Sequence, residues 1–346
     1  MNPLKRPRQL RRNATMIAAV AFALTACSTP TSTDTTTPVA PAPAQEDSYQ
    51  QVTIDVCGTA ITWTEAPERV FVNDINMLEM LLALDLQDRI VASFLWGEDN
   101  TLLPELRQKM DAVGLEPVIG SMGDEIETVL AYNPDFLFAG WNYGLRVGGT
   151  VTPEALADRG VKTYMLRESC RHVQPELGRT TMDDIYFDLR ALGAIFGVPE
   201  RAESLITAYQ STIQQAVALI PEDHTGRVDM FLYDSGEDEP FTAGHFAIPD
   251  EMFRLIGGRN IIDDVNATWT RVSWERVISR DPVLIPVVAY DGVSCDERIA
   301  TLESLTPLRS VQAIVDQRYF CFEYADVVPG IRTAKATLAL AQALWQ

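Results

Sequence analysis

The sequence predicts an α/β fold of two lobes joined by a long helical connector, and three observations support this prediction. Short apolar runs alternate with amphipathic stretches from residue 51 onward, the segment 181–219 has helical periodicity without a strand, and a helix–Pro–strand pattern occurs once on each side of that segment. Strand–helix–strand alternation is typical of parallel sheets with right-handed crossovers. The 346 residues also exceed the ~250–300 at which a single core stops growing.

Lobe one is predicted over residues 51–180 and lobe two over residues 226–346. Short apolar runs mark the strands, and apolar residues at helical spacing separate them. In lobe one the predicted strands are Val70–Val72, Ile90–Ala92, Phe136–Ala139 and Val161–Leu166, and the predicted helices are Met77–Leu84 and Thr128–Tyr132. In lobe two the predicted strands are Val228–Tyr233 and Leu284–Val288.

The connector is predicted to be helical over residues 181–225. Thr181 with Asp184 three residues later is typical of a helix N-terminus, and apolar residues then recur on one helix face. Gly197-Val198-Pro199 interrupts this pattern, and a second amphipathic segment runs from Glu200 to Ile220. No strand pattern fits this region, so it separates the two lobes.

An internal repeat supports the division into two lobes. The segment that begins at Glu127 and reaches Pro134 matches the segment that begins at Glu275 and reaches Pro282. In both, Glu precedes Pro by seven residues and an apolar strand pattern follows, at a constant offset of 148 residues. Repeated patterns of this kind indicate a duplicated structural unit.

The N-terminus is predicted to be an export signal followed by a lipid anchor and a tether. Five basic residues precede an apolar run from Ala14 to Ala26, which is too short to span a bilayer. The run ends in Leu24-Thr25-Ala26-Cys27, which resembles the bacterial lipobox, although an ordinary signal peptide with a chance Cys is the alternative. We expect a signal peptide over residues 1–26, lipidation of Cys27, and a Ser/Thr/Pro-rich tether over residues 27–50. The protein is then exported and anchored to the outer face of the cell membrane.

Four cysteines remain after Cys27, and export makes disulfides permissible. Four cysteines allow three connectivities, and four buried free thiols are the alternative. Because Cys57 and Cys170 fall in lobe one and Cys295 and Cys321 in lobe two, we favour the pairs Cys57–Cys170 and Cys295–Cys321.

Composition and motifs argue against nucleic-acid binding and against catalysis. The net charge is −20, whereas phosphate binding needs clustered Lys and Arg. The sequence has no P-loop, no G-x-S-x-G elbow and no H-E-x-x-H motif. The three histidines, His172, His224 and His245, are too scattered for a dedicated metal site, so we expect no resident cofactor and no direct metal ligand. A secreted hydrolase is the alternative of another class.

The order of several motifs resembles the ABC-importer substrate-binding proteins for ferric siderophores and cobalamin, the class with a helical spine. The resemblance covers roughly residues 60–346. The matching segments are Pro67-Glu68-Arg69-Val70, Met77 to Leu84, Glu127 to Asp135, the helical connector, Gly257-Gly258-Arg259-Asn260 and Trp274-Glu275. The resemblance implies two Rossmann-like lobes joined by one long helix, a ligand in the cleft between them, and a monomer that docks on importer membrane subunits through Glu127 and Glu275.

Candidate ligand-binding residues lie in loops that follow predicted strands, where open parallel sheets form crevices. These loops are rich in aromatic residues, which suit flat chelate faces, and in Arg, which suits carboxylate, catecholate and hydroxamate oxygens. The candidates are Trp96, Trp141, Tyr143, Arg146, Arg167, Tyr233, His245, Trp269, Arg271, Tyr324 and Arg332.

The ligand itself is left open among three classes, with a ferric siderophore as the first expectation. Cobalamin and haem binders share the implied fold, and His172 or His245 offers haem an axial ligand. The acidic loops Glu98-Asp99 and Glu237-Asp238-Glu239 favour a cationic chelate.

Overall fold

The computed structural model describes residues 49–95 and 101–346. The predicted signal peptide, Cys27, most of the tether and Trp96 therefore lie outside the described residues. Within the described ranges, no helix combines the length and the apolar character needed to cross a bilayer. Both lobes belong to one compact unit.

The strands of lobe one are β1 Val52–Val56, β2 Thr59–Trp63, β3 Val70–Asn73, β4 Ile90–Leu95, β5 Val118–Ile119, β6 Phe136–Trp141, β7 Gly144–Leu145 and β8 Lys162–Met165. Lobe one arranges five of them in a parallel sheet, in the order β5-β4-β3-β6-β8. Its helices are α1 Ile75–Ala83, α2 Pro104–Val113, α3 Ile126–Leu130 and α4 Pro153–Ala157. All residues of β3 are buried, which is typical of a central parallel strand covered on both faces.

A separate hairpin precedes the sheet of lobe one. Strands β1 and β2 pair antiparallel around a turn at Cys57 and Gly58. The disulfide Cys57–Cys170 ties this turn to the 3-10 helix Arg167–His172, which follows β8. The hairpin is thereby fixed to the loop that leaves the sheet.

The connector consists of two helices, α5 Met182–Ile195 and α6 Pro199–Val217. A capping box between Thr181 and Asp184 starts α5, as predicted, and the first turn of α6 contains Pro199. The resemblance implies one long helix, and the break arises because Gly197 adopts a left-handed conformation (φ 68°). The helices pack closely, since a Cβ on Gly193 would stand 2.6 Å from the Cβ of Ala202.

Lobe two is built from shorter strands. They are β9 Val228–Met230, β10 Phe241–Ala243, β11 Gly258–Asn260, β12 Trp269–Arg271, β13 Ile285–Ala289 and β14 Tyr319–Glu323. Its helices are α7 Ile248–Leu255, α8 Trp274–Arg280, α9 Cys295–Ser304, α10 Gln312–Val315 and α11 Thr333–Trp345. Helix α11 returns to pack along α6 of the connector.

The strands of lobe two form parallel pairs and one antiparallel ribbon. Strand β9 pairs with β11, and β13 pairs with β14, all in parallel. The predicted strand 228–233 ends at Met230, and its extension pairs with β13 through the parallel bridge Tyr233–Val287, in which Tyr233 is hydrogen-bonded to Pro286 and Val288. Strands β10 and β12 pair antiparallel and stand apart from this arrangement.

The internal repeat is visible in the backbone. Asn133 after α3 and Asp281 after α8 both adopt left-handed conformations, with φ of 47° and 44°, and each precedes a Pro. The amide of Asp135 donates to the carbonyl of Arg69 at 3.0 Å, and the equivalent amide of Val283 donates to that of Asp229 at 2.9 Å. The two lobes therefore share one helix–Pro–strand unit.

The structure contains both predicted disulfides, one in each lobe. The Cα atoms are 5.0 Å apart in Cys57–Cys170 and 6.0 Å apart in Cys295–Cys321. Both separations lie within the range usual for a disulfide. Cys321 lies in β14 and Cys295 begins α9, so the second bridge joins a helix to the sheet of lobe two.

Candidate ligand-binding site

A cavity of about 410 Å³ lies between the two lobes. Most of its walls come from residues that follow the carboxyl ends of parallel strands, where open α/β sheets form crevices. From lobe one it is lined by Asp74, Asn142, Tyr143 and His172, and from lobe two by Asp234, Phe241, Thr268, Trp269, Tyr290, Asp291, Tyr324 and Val328.

Asp74 follows β3 directly and caps the N-terminus of α1. Its Oδ1 accepts a hydrogen bond from the amide of Ile75 at 2.7 Å, and its Oδ2 accepts one from the Tyr324 hydroxyl of lobe two at 2.7 Å. Burial raises the pKa of Asp74 to about 6, although both hydrogen bonds act in the opposite direction. Its φ of 76° is unusual for a residue with a side chain, and strained backbone of this kind clusters at functional sites.

Asp234 holds the equivalent place in lobe two. Its Oδ1 accepts hydrogen bonds from the Tyr290 hydroxyl at 2.7 Å and from the Ser235 hydroxyl at 2.8 Å. Burial raises the pKa of this carboxyl as well. Each lobe thus presents one buried carboxylate, held by a tyrosine hydroxyl, to the cavity.

Tyr143 connects the two lobes on another side of the cavity. Its hydroxyl donates to Oε2 of the buried Glu168 at 2.9 Å and accepts from the indole N–H of Trp269 at 3.3 Å. Oε1 of Glu168 accepts from the amide of Ile248 in lobe two at 2.8 Å. Burial raises the pKa of Glu168 to about 7.

His172 contributes an imidazole to the described cavity lining, and its partners are neutral. Its Nε2 lies 3.1 Å from the Asn142 amide nitrogen and 3.2 Å from the Thr268 hydroxyl. Burial lowers the pKa of His172, which favours the neutral imidazole at pH 7. On the lobe-two wall of the cavity, the rings of Phe241 and Trp269 stack with centroids 5.9 Å apart.

The structure brings three of the predicted ligand-binding residues to the cavity: Tyr143, Trp269 and Tyr324. The prediction that Trp141 lines this cavity is wrong, because Trp141 lines a different pocket, against the β1–β2 hairpin. The prediction for Arg146 is also wrong, because its side chain is exposed at the surface, where its Nη1 lies 3.8 Å from Oδ2 of Asp124.

The other predicted residues lie in packing or in ion pairs. Arg167 lies between Asp55 and Asp184, with its guanidinium over the Phe187 ring. Tyr233 is buried in the core of lobe two beside Trp274.

The polar groups of the three remaining candidates contact other residues of this chain. His245 lies beside Arg179 and Asp250, and Arg271 lies over the outer face of Phe241 with a hydrogen bond to the Glu239 carbonyl. Arg332 is buried and forms ion pairs with Glu79 of lobe one at 2.6 Å and with Glu323 at 2.8 Å.

Sequence reasoning missed the two carboxylates and some of the aromatic wall. Asp74 and Asp234 each end a predicted apolar strand, so the rule that ligands lie at strand carboxyl ends could have found them. A search for aromatic residues and Arg favoured their neighbours instead. Phe241 and Tyr290 lie in the loops that the sequence singled out, although they were not among the chosen residues.

Glu127 and Glu275 occupy matching exposed positions outside the cavity. Each lies in the first turn of its helix, Glu127 in α3 and Glu275 in α8. Both side chains face solvent, one on each lobe.

Comparisons with known proteins identify a family and relatives that this chain resembles. The profile described as periplasmic binding protein matches residues 74–298. The vitamin B12-binding protein of Pectobacterium atrosepticum is 28% identical over 223 residues, which is 63% of this chain and 71% of that protein.

Two solved structures share the fold. An ABC-type Fe3+-hydroxamate transport system from Saccharomonospora viridis has a TM-score of 0.72 at 19% identity, and the match covers 85% of this chain and 99% of that chain. A periplasmic heme-binding protein from Pseudomonas aeruginosa has a TM-score of 0.64 at 20% identity, covering 81% of this chain and 93% of that chain.

Proposed function

The chain belongs to the periplasmic binding protein family, and on that premise we propose that it captures a ferric siderophore between its lobes and presents it to an ABC importer. Members of this family are substrate-binding transport proteins rather than enzymes. The single observation that carries the proposal is the aromatic-walled cavity between the lobes, because such clefts bury a ligand against apolar faces and orient it with a few polar groups.

Cobalamin is the second candidate, and it is favoured by the curated relatives named vitamin B12-binding protein. The cavity of about 410 Å³ favours a compact iron chelate, since a corrinoid with its nucleotide loop is considerably larger and would require the lobes to move apart. Haem is disfavoured because its propionates would meet the carboxylates of Asp74 and Asp234.

The ligand assignment is tested by titrating the purified protein with a ferric trihydroxamate, cyanocobalamin and haem while tryptophan fluorescence is followed. We expect saturable binding of the ferric chelate. Trp269→Leu should weaken it by about tenfold or more, because it removes a wall and the hydrogen bond to Tyr143. Trp141→Leu is the matched control outside the cavity and should bind normally. Saturable binding of cyanocobalamin alone would replace iron with cobalamin.

The importer assignment depends on Glu127 and Glu275. Two exposed carboxylates on equivalent helices of the two lobes provide a matched pair of contacts for Arg residues on a two-subunit permease. The double variant Glu127→Arg/Glu275→Arg should abolish uptake in cells and leave ligand affinity intact. Glu105 and Glu200 are also exposed acids in first helical turns, so Glu105→Arg/Glu200→Arg is the matched control. Equal uptake by both double variants would refute this docking role.

The proposed anchor is Cys27, which lies outside the described residues. Its lipidation would hold the body to the membrane with ~0.8 kcal/mol per buried CH₂. Cys27→Ala should move the protein from the membrane fraction to the soluble fraction, and retention in the membrane would refute the anchor.

A further inference from the structure

The charge of the cavity lining is one-sided. Among the residues that the structure describes, the lining holds three carboxylates, Asp74, Asp234 and Asp291, and no Lys or Arg. His172 does not offset this charge, because burial lowers its pKa. A ligand in this cavity therefore meets carboxylates, aromatic rings and neutral polar groups, and no Lys or Arg of the described lining.

Nearby arginines are committed elsewhere. Arg332 is held by Glu79 and Glu323, and Arg271 lies outside Phe241, bonded to a backbone carbonyl. Arg298 stacks on Tyr290, with its guanidinium carbon 4.8 Å from the ring centroid, and it is not part of the lining. Arg298 and Arg271 still act on Asp234 at longer range and lower its pKa, although neither lines the cavity.

Asp74 and Asp234 occupy equivalent positions in the two lobes. The repeat aligns the carbonyls of Arg69 and Asp229, which accept equivalent amide hydrogen bonds, and each aspartate lies five residues further along its strand. Both side chains accept a hydrogen bond from a tyrosine hydroxyl, at 2.7 Å in each case. The same carboxylate is thus presented from both sides of the cleft.

Asp234 keeps one oxygen available to the cavity. Its residue is 4% exposed, both of its hydrogen bonds reach Oδ1, and no described residue donates to Oδ2. This oxygen is not sealed from solvent, so it faces the open cavity and can accept a hydrogen bond from a ligand there. The ring of Tyr324 near it also attracts cations, whereas Tyr290 already carries Arg298 on its ring.

We propose that the ligand is a metal chelate with a positive charge, and that its cationic group lies between Asp74 and Asp234, beside the ring of Tyr324. This inference rests on the proposed function and deepens it, because it selects a charge class among iron chelates. A pendant ammonium would donate to Oδ2 of Asp234, and chelate rings would lie against Trp269 and Phe241.

The test compares two chelates that differ by one charge. Ferrioxamine B is an iron(III) trihydroxamate with a free terminal ammonium, and its N-acetyl derivative is the same chelate without that charge. Calorimetric titration of the wild-type protein at pH 7 should give at least about tenfold tighter binding of the cationic chelate, since hydrogen bonds to charged groups are stronger than neutral ones. The Asp234→Asn variant should reduce this affinity ratio toward one.

Asp291→Asn is the matched control, because Asp291 is an exposed residue of the same lining and should change the ratio less. Equal binding of both chelates to the wild type, or tighter binding of the neutral one, would overturn the charge inference and leave the proposed function standing. Binding of neither would also overturn it, and cyanocobalamin in the same assay then shows whether the transport assignment survives.

Discussion

Lobe one and lobe two share a scaffold but contribute different chemistry to the cavity. Lobe one holds a continuous parallel sheet, and lobe two holds shorter strands together with the antiparallel ribbon of β10 and β12. Of the five aromatic residues in the described lining, Tyr143 comes from lobe one and the other four from lobe two. The lobes thus share a helix–Pro–strand unit, while lobe two contributes most of the aromatic lining, with Phe241 and Trp269 on the ribbon.

The two equivalent aspartates show the same difference on a smaller scale. Asp234 is held by Tyr290 of its own lobe, whereas Asp74 is held by Tyr324 across the cleft. Lobe one is therefore fixed by groups of lobe two, while the aromatic side of the cavity is supported from within lobe two.

The largest effect is expected from the ion pair that joins the lobes. Arg332 of lobe two is buried against Glu79 of lobe one, and its removal leaves a buried charge without a partner. Arg332→Met should lower the free energy of unfolding by about 3–5 kcal/mol in urea denaturation. The surface pair Arg190–Glu203 is the control, and Arg190→Met should cost at most about 1 kcal/mol.

The double variant Arg332→Met/Glu79→Gln distinguishes the two explanations for such a loss. If the uncompensated charge is the cause, the double variant should recover much of the stability. A loss as large as that of Arg332→Met alone would instead assign the effect to packing.

An intermediate effect is expected from two buried carboxylates that each contact the other lobe. The pKa of Glu168 is raised to about 7, so the folded state favours its protonated form. Its contribution to stability is complete below the unfolded pKa and is lost as pH rises to about 7. The free energy of unfolding of Glu168→Gln, relative to that of the wild type, should therefore rise by on the order of 3 kcal/mol between pH 4.5 and 7, measured by urea unfolding.

Asp250 of lobe two is the comparison, because Arg179 lies 2.8 Å from it and its pKa is raised to about 6. The pH dependence of Asp250→Asn relative to wild type should level off near pH 6. Coincident profiles for the two variants would contradict the difference between the lobes.

The smallest effect is expected from the difference between the two disulfides. Cys57–Cys170 closes 113 residues and Cys295–Cys321 closes 26. In the chain-entropy account, the longer loop constrains the unfolded chain by about 1 kcal/mol more. Paired Cys→Ser variants of each bridge, compared by thermal unfolding, should show the larger loss in lobe one. A larger loss in lobe two would show that native contacts around β14 dominate.

The sequence predicts the regular elements well where periodicity is local. Strands β3, β4, β6 and β8 follow from short apolar runs, and the break at Gly197 follows from its neighbours. Tertiary partners were beyond its reach. Nothing near Arg332 in the chain indicates Glu79, which is 253 residues away, so an Arg predicted to bind ligand proves to join the lobes.

Trp141 and Tyr143 show how one backbone angle decides a site. Both follow the predicted strand Phe136–Ala139, so both were predicted for the cleft. Asn142 between them has a φ of 63°, and the turn is closed by hydrogen bonds between Gly140 and Tyr143. The reversal sends Trp141 to the hairpin and Tyr143 to the cavity.

The bond from Tyr324 to Asp74 has a consequence for timing. Any movement that parts the lobes at the cavity breaks this bond and the one from Trp269 to Tyr143, together with the cross-lobe contacts Glu168–Ile248 and Glu79–Arg332. The first two bonds alone, at ~0.5–1.5 kcal/mol each, would make the parted state on the order of 5- to 150-fold rarer. For the ligand proposed above, residence time would then depend on these cross-lobe bonds as well as on the ligand's own contacts with the cavity.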